Sequence, residues 1–294
     1  MKEILLITGA NGFIGKHLCA NLKNKYNIHQ IVSPRHRDNL DNYVFSCDLS
    51  NHQETERLIN KLPLKNYKAV IHLAALLSKP GDWNNINYFD ANNKITNNMI
   101  SLVKNVNCNS FINFSSLAVY PNRDGFYDEE SIVEMADNTE CLYGLAKFNA
   151  EILFKFYLKK LTKVINLRLA QSYGHGMQND RLIGVFRNEL VKTNSITLYG
   201  NGMRVSNFVH VNDIIESIHA VLINPMPGTF NLGNDKNVSY MSIAERIIAA
   251  IGNDGSKIIK KNEGVKAKVA IDTKKFEQQF GRKSEKNDFS FLKE

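Results

Sequence analysis

The sequence is poor in the residues that mark disulfide-rich, metal-binding and membrane proteins. It has four cysteines among 294 residues, and these form neither a CxxC pair nor a Cys/His cluster. It has one tryptophan and six prolines, and no apolar run approaches the roughly 20 residues of a membrane-spanning helix. The first residues enter a strand pattern with no sign of a signal peptide. We therefore expect a cytoplasmic protein with reduced cysteines, no metal site and no membrane partner.

The composition is that of a folded globular chain, with 43% hydrophobic and 22% charged residues. This balance argues against a disordered, collagen-like or coiled-coil protein. The net charge is +8, and the stretch 257–286 carries ten Lys or Arg against four Asp or Glu. Such a stretch is either a solvated lysine-rich surface or a nucleic-acid contact. It has no basic-aromatic stacking pattern and no reader module, so we expect no nucleic-acid partner.

Short apolar runs alternate with segments of helical periodicity from the first residues onward. Strand patterns lie at 4–7, 28–32, 43–46, 69–73, 111–115 and 164–169. Helix patterns lie at 12–22, 51–62, 90–106, 142–161, 181–192, 212–222 and 242–251. Strands that alternate with helices predict an α/β fold with a doubly wound parallel sheet.

A glycine-rich turn joins the first strand to the first helix. Its sequence TGANGFIG places Gly9, Gly12 and Gly15 three residues apart. Glycines at such a turn allow a tight bend, close approach of a pyrophosphate and close helix packing, and the helix N-terminus offers free N–H groups to the phosphates. We expect this turn, with Asn11, Phe13 and Ile14, to bind a dinucleotide. A purely structural glycine turn is the alternative.

The TGxxGFxG pattern resembles the cofactor motif of the extended short-chain dehydrogenase/reductase superfamily, which includes the nucleotide-sugar epimerases, dehydratases and reductases. The resemblance implies a Rossmann-type domain at 1–170. It also implies a smaller α/β substrate-binding region at 171–294, with part of the chain returning to the large domain. Relatives often dimerise through two packed helices, so a homodimer is a further expectation.

The loop after the second strand bears on the choice of cofactor. NAD-dependent relatives place Asp there to bind the ribose hydroxyls, and the equivalent position here is Ser33. Arg35 and Arg37 follow at once, and guanidinium groups suit a 2′-phosphate. We therefore expect NADP(H), with NAD(H) as the alternative if both arginines are merely solvated.

Further cofactor contacts follow from the resemblance, and each has a structural alternative. Asp48 resembles an adenine contact but is also a favourable residue before a helix. The small residues after the fourth strand resemble a segment beside the cofactor but also pack well under any sheet. The predicted contacts are Asp48, Leu49, Leu73, Ala74, Ala75 and Asn92, with Asn93 as the register alternative to Asn92.

A YxxxK pair and a strand-end serine form the predicted catalytic site. Tyr143 and Lys147 are four residues apart, hence on one helix face, and a neighbouring ammonium is expected to lower the tyrosine pKa from about 10. The resemblance places the catalytic serine at Ser116, with Ser115 beside it. Together these residues predict proton transfer at a carbinol oxygen, with Tyr143 and Lys147 also contacting the cofactor. Either motif alone occurs by chance.

The residues after Ser116 exclude some reactions of the superfamily. Dehydratases carry an Asp-Glu pair where this sequence has Leu117 and Ala118, and the glutamate of the decarboxylases is also missing. The resemblance places an Arg that binds the substrate diphosphate at the position where this sequence has Ser206. The predicted substrate contacts are Gln171, His175, Arg181, Tyr199, Arg204 and Ser206. An exposed loop histidine is the alternative for His175.

These observations predict an NADPH-dependent reductase of a 4-keto sugar that is linked to a nucleotide. An NAD-dependent nucleotide-sugar 4-epimerase is the alternative enzyme. A non-catalytic NADP-binding sensor or scaffold is the alternative of another class.

Overall fold

The structure is a computed structural model, and it describes residues 2–63, 65–79, 81–83, 85–135, 138–286 and 289–293. Its centre is a seven-stranded parallel sheet with the strand order β3-β2-β1-β4-β5-β7-β11. The strands of this sheet are β1 Ile4–Thr8, β2 Asn27–Val32, β3 Val44–Ser46, β4 Asn66–His72, β5 Asn107–Ser116, β7 Lys163–Leu169 and β11 Gly228–Leu232. The predicted α/β fold with a doubly wound parallel sheet is confirmed.

Helices cover both faces of this sheet, because successive residues of each strand point to opposite sides. Leu5 and Ile7 pack on one face with residues of α1 and α6, whereas Leu6 packs on the other with residues of α2, α3 and α4. The helices are α1 Phe13–Leu22, α2 His52–Lys61, α3 Ile86–Lys104, α4 Cys141–Leu158, α5 Leu182–Thr193, α6 Val211–Ile223, α7 Tyr240–Ile251 and α8 Lys274–Phe280.

The smaller region contains short strands and two helices around its own apolar core. A three-stranded sheet has the order β12-β10-β8, and β9 pairs with β13 and β6 with β14. Helices α5 and α7 enclose this core. The short strands are β6 Gly125–Tyr127, β8 Gln171–Tyr173, β9 Ser195–Leu198, β10 Val205–His210, β12 Asn237–Ser239, β13 Lys257–Lys260 and β14 Val269–Ile271.

The chain returns to the large sheet after residue 170. Strand β11 pairs in parallel with β7, from Gly228 beside Ile165 to Leu232 beside Leu169. Helix α6, just before it, packs against α1. The carboxyl ends of β1, β2, β4, β5 and β7 therefore lie along one edge of the sheet, which is where ligands bind in folds of this kind.

Acidic partners neutralise part of the basic stretch 257–286. Lys286 contacts Glu216 at 2.7 Å, and Lys283 contacts Asp235 at 3.0 Å. Arg282 also contacts Glu216. These three basic side chains therefore tie the end of the stretch to the rest of the chain.

Candidate active site

The glycine turn has the shape that a bound pyrophosphate requires. Gly9 has a φ of 66°, and a Cβ on it would lie 2.9 Å from the backbone nitrogen of Ala74. A Cβ on Gly15 would lie 2.2 Å from the carbonyl oxygen of Gly9. Gly12 caps α1 without a side-chain hydrogen bond, and the first turn of α1 contains no acidic residue. Its N–H groups are therefore open to an anion, and the turn fits the phosphates of a dinucleotide.

The end of β4 holds this turn in place. Ala74 donates its backbone N–H to Thr8 Oγ1 at 3.2 Å, and Leu73 donates to the carbonyl oxygen of Thr8 at 3.3 Å. Thr8 Oγ1 also lies 2.8 Å from Nδ1 of the buried His72. The predicted small-residue segment 73–75 thus contacts the glycine turn directly.

The loop after β2 is bonded to the glycine turn through Asn11. Its side-chain nitrogen lies 3.0 Å from both Ser33 Oγ and His36 Nδ1, and its oxygen accepts the N–H of Ser33 at 3.3 Å. Arg35 and Arg37 are exposed and form no hydrogen bond or ion pair within the described residues. The sequence prediction did not include His36, although it lies between the two arginines.

Two other predicted cofactor residues, Asp48 and Asn92, form hydrogen bonds with neighbouring residues of the chain. Asp48 accepts hydrogen bonds from the backbone and the hydroxyl of Ser50 through one carboxylate oxygen. Asn92 is buried and exchanges two hydrogen bonds with the backbone of Leu76, at 2.9 and 3.0 Å, and donates a third to Tyr88. Asn92 thus fixes the loop after β4.

Lys147 connects the catalytic helix to the strand that ends at Ser116. Its Nζ donates to the carbonyl oxygen of Phe114 at 2.8 Å and lies 5.7 Å from the ring centre of Tyr143. Phe114 and Ser116 both belong to β5, whereas Tyr143 and Lys147 belong to α4. The fold therefore brings Tyr143 and Lys147 beside the strand that ends at Ser116.

The two adjacent serines have different surroundings. Ser115 is buried and donates its hydroxyl to Glu151. Ser116 is only partly buried, and its Oγ accepts the backbone N–H of Ala118 at 3.1 Å. Among the described contacts the Ser116 hydroxyl only accepts, so its hydrogen can be donated to a ligand.

Gly144 lets α4 approach the turn that follows Ser116. A Cβ on Gly144 would lie 2.2 Å from the carbonyl oxygen of Ala118 and 2.9 Å from its carbonyl carbon. Because Tyr143 precedes Gly144 on the helix, this backbone contact sets how closely Tyr143 can approach Ser116.

Burial controls the charge states of the two catalytic candidates. It lowers the pKa of Lys147 to about 8, and the carboxylate of Glu151 opposes this change. It raises the pKa of Tyr143, with a further increase from the Glu140 carboxylate and an opposing effect of Arg181. The sequence-based expectation of a lowered tyrosine pKa was therefore wrong in direction for this structure, because desolvation of the phenolate and the Glu140 carboxylate outweigh the effect of Arg181.

Hydrogen bonds and ion pairs place several predicted substrate residues in contact with neighbours. Gln171 donates to Ser206 Oγ at 3.0 Å. Arg181, which caps α5, pairs with Glu140 at 3.1 Å, just before α4 begins. His175 is exposed.

Two cationic side chains lie against aromatic rings in the smaller region. The guanidinium of Arg204 lies 5.3 Å from the ring centre of Tyr240, and its Nε is buried without a hydrogen-bond partner in the described chain. Tyr199 is 53% exposed, and Lys261 Nζ lies 5.3 Å from its ring centre. The sequence prediction missed Lys261 because it lies 62 residues beyond Tyr199 and reaches it only through the pairing of β13 with β9.

Two other kinds of site are absent from the described part of the chain. Within it, no group of three or more His, Cys, Asp or Glu side chains could hold a metal ion. No described helix combines the length and the apolar character that crossing a membrane requires.

Known proteins resemble this chain over most of its length. It is 28% identical over 265 residues to dTDP-D-glucose 4,6-dehydratase of Dictyostelium discoideum, and the match covers 83% of this chain but only 61% of that protein. It is 27% identical over 286 residues to a putative UDP-glucose 4-epimerase of Methanocaldococcus jannaschii, covering 93% and 91%. It is 27% identical over 265 residues to dTDP-4-dehydro-6-deoxyglucose reductase of Escherichia coli, covering 84% and 81%.

Solved structures share the fold. UDP-glucose 4-epimerase of Thermotoga maritima, solved with UDP-glucose, superposes with a TM-score of 0.82 at 19% identity, covering 99% of this chain and 96% of that one. The model of the NAD-dependent epimerase/dehydratase family matches residues 5–233. This confirms the resemblance indicated by the glycine turn, the strand-end serine and the YxxxK pair. The chain belongs to the NAD-dependent epimerase/dehydratase family of enzymes.

Proposed function

We propose that this protein is an NADPH-dependent reductase of a 4-keto sugar that is linked to a nucleotide. The observation that carries the proposal is the end of β2, where Ser33 bonds to Asn11 and offers no carboxylate to a ribose. Asp38, the nearest acidic residue after it, accepts the N–H of Ser46 and pairs with Lys61. The exposed arginines of this loop can then pair with a 2′-phosphate, which an acidic residue would repel.

Tyr143 is the proposed proton donor of the reduction. The cofactor, when bound, supplies the hydride. Because burial raises the pKa of Tyr143, its phenol is protonated near neutral pH, as a proton donor must be. Ser116 aligns the carbonyl oxygen through its hydroxyl. Lys147 provides positive charge close to the oxygen on which negative charge develops.

The turn after Ser116 argues against dehydration and decarboxylation. Leu117 and Ala118 occupy the positions where the resemblance places acidic residues in dehydratases, and neither side chain can transfer a proton. Ala118 is also buried, and its backbone carbonyl faces Gly144 of α4. The dehydratase name of one relative therefore does not suit this strand end.

Cationic and aromatic groups of the smaller region are the proposed contacts for the nucleotide. Arg181 is held beside the catalytic helix by Glu140 and can turn toward a diphosphate. Arg204 lies against the ring of Tyr240, and its buried Nε has no hydrogen-bond partner in the described chain. Tyr199 presents an exposed ring on which a base can stack. Gln171, His175 and Ser206 are the proposed contacts to the sugar.

A nucleotide-sugar 4-epimerase is the second candidate. It is favoured by the relative named as a putative UDP-glucose 4-epimerase, which matches this chain as well as the reductase does. The two reactions share the same Ser, Tyr and Lys. They differ in whether the reduced cofactor stays bound or is consumed.

Replacing both Arg35 and Arg37 by alanine should weaken NADPH binding. Loss of a charge-assisted contact corresponds to about 2–3 kcal/mol, or roughly 30- to 150-fold in Kd. NADH, which lacks the 2′-phosphate, should bind as before. Titration of both cofactors into the double variant checks this, with Arg57→Ala on α2 as a control for loss of an exposed arginine. Equal weakening of NADPH and NADH would remove these arginines from the 2′-phosphate site.

Turnover of defined substrates tests the proposed reaction. The purified protein should arrive largely free of cofactor and should oxidise NADPH in proportion to an added 4-keto-6-deoxy sugar nucleotide. It should not interconvert glucose- and galactose-configured nucleotide sugars. Tightly held NAD after purification, with epimerisation and no net consumption of NADPH, would instead establish the epimerase.

A further inference from the structure

A buried ion pair lies one helical turn beyond Lys147 and was not part of the predicted site. Glu151 and Arg168 are each only 4% exposed. Arg168 donates from Nε to Glu151 Oε1 at 3.1 Å and from Nη2 to Oε2 at 2.9 Å. The same carboxylate accepts the hydroxyl of Ser115, the residue before the predicted catalytic serine. The pair therefore joins the catalytic helix to the strand end at the active site.

Glu151 is placed to act on the charge of Lys147. The two residues are four apart on α4 and so lie on the same helix face. Lys147 is 6% exposed, so water screens the interaction poorly. Among the described residues, Glu151 is the carboxylate whose charge opposes the loss of the Lys147 proton.

Two other titratable groups that the described chain places beside Lys147, Tyr143 and His72, are neutral near pH 7. Burial raises the pKa of Tyr143 above its ordinary value, so the phenol keeps its proton. Burial and the charge of Lys147 lower the pKa of His72 to about 3, so the imidazole is uncharged. The charged groups described beside Lys147 are thus the Glu151 carboxylate and the Arg168 guanidinium bound to it, whereas Glu140 and Arg181 act on Tyr143.

We propose that Glu151 and Arg168 are positioning residues that together set the protonation of Lys147. Glu151 stabilises the Lys147 ammonium, and Arg168 limits this effect by binding both oxygens of the same carboxylate. The use of that ammonium in catalysis rests on the proposed function, but the charge coupling does not.

Arg168 is held in place from its other side. Its Nη1 donates to the hydroxyl of the buried Tyr120 at 3.0 Å, and that hydroxyl lies 2.8 Å from Asn231 Oδ1 on β11. Arg168 is therefore held between Tyr120 and Glu151. It reaches the Glu151 carboxylate from β7, whereas Lys147 lies on the same helix as Glu151.

Removing one partner at a time should move the Lys147 pKa in opposite directions. Glu151→Gln removes the anion and should lower it by about 1 pH unit, the scale of one nearby opposite charge. Arg168→Met removes the cation that binds both oxygens of the carboxylate and should raise the Lys147 pKa. Each change leaves one buried group without its partner, so both should destabilise the fold. Loss of stability therefore does not distinguish the proposal from a merely structural ion pair, whereas opposite shifts of the Lys147 pKa do.

The Lys147 titration can be followed by NMR in protein labelled with ¹³C at the lysine Cε, with the signal assigned by its loss in Lys147→Arg. Shifts in the same direction, or no shift, would overturn the proposal. If a single variant does not fold, the double variant Glu151→Gln/Arg168→Met leaves no unpaired buried ion at this pair. Its Lys147 pKa should lie below that of the wild type, and an unchanged or higher value would also overturn the proposal.

The measurement needs neither cofactor nor substrate, so it can fail independently of the proposed reaction. NMR can show opposite shifts of the Lys147 pKa while the alkaline limb of the pH profile of reductase turnover does not shift with them. In that case the charge coupling is confirmed. The role of Lys147 in the proposed function then fails.

Discussion

Replacing Tyr143 by phenylalanine should lower turnover at least about 100-fold, the usual scale for loss of an acid/base group. The substitution removes the hydroxyl and keeps the ring that packs beside Lys147. Cofactor binding should therefore remain near normal. The measurement is a pair of assays, kcat with a 4-keto sugar nucleotide and a binding titration with NADPH.

Tyr157→Phe is the matched control, because Tyr157 lies on the same helix and is 47% exposed. It makes the same chemical change away from the strand end that carries Ser116. Its turnover should equal that of the wild type. If Tyr143→Phe also kept full turnover, Tyr143 would not be the proton donor.

Sequence patterns predicted the large sheet well because its strands are buried on both faces. Ile4, Leu5, Leu6 and Ile7 form a continuous apolar run, and such a run reports burial whatever its neighbours are. Strand β11 escaped this reasoning, since it is short and includes Gly228, Thr229 and Asn231. It joins the sheet only through its pairing with β7.

The candidate site was predictable where motifs are local in sequence and less so where distant residues meet. The sequence predicted Arg204 and Ser206 as substrate contacts. In the structure the Arg204 guanidinium lies against Tyr240, 36 residues further on, and Ser206 accepts a hydrogen bond from Gln171. Periodicity cannot report such contacts, because they depend on how short strands cross in the smaller region.

The pKa of Tyr143 was also mispredicted, although one of the residues that affect it is close in sequence. Glu140 lies only three residues before it, so an opposing charge was visible in the sequence. The extent of burial was not, and burial makes the larger contribution. Glu151 likewise has the spacing of an ordinary helix residue, and only the packing of α4 against β7 shows that its carboxylate is buried with Arg168.

Replacing Gly144 by alanine should disable the enzyme although alanine is the better helix former. The gain in helix propensity is about 1 kcal/mol, whereas overpacking costs about 1–3 kcal/mol. The atom that the new Cβ would meet, at 2.2 Å, is the backbone carbonyl oxygen of Ala118, which cannot rotate away as a side chain could. We therefore expect a net loss of stability together with displacement of α4 from the turn after Ser116.

The displacement should matter more than the lost stability. A misplacement of about 1 Å at a reacting group can cost about 100-fold in rate, so Gly144→Ala should approach Tyr143→Phe in its effect on kcat. Thermal unfolding and kcat measured on the same preparation test this. Lys155→Ala, an exposed position on the same helix, controls for a change in propensity alone. A Gly144→Ala protein that is more stable and fully active would show that the close approach of α4 to Ala118 does not position Tyr143.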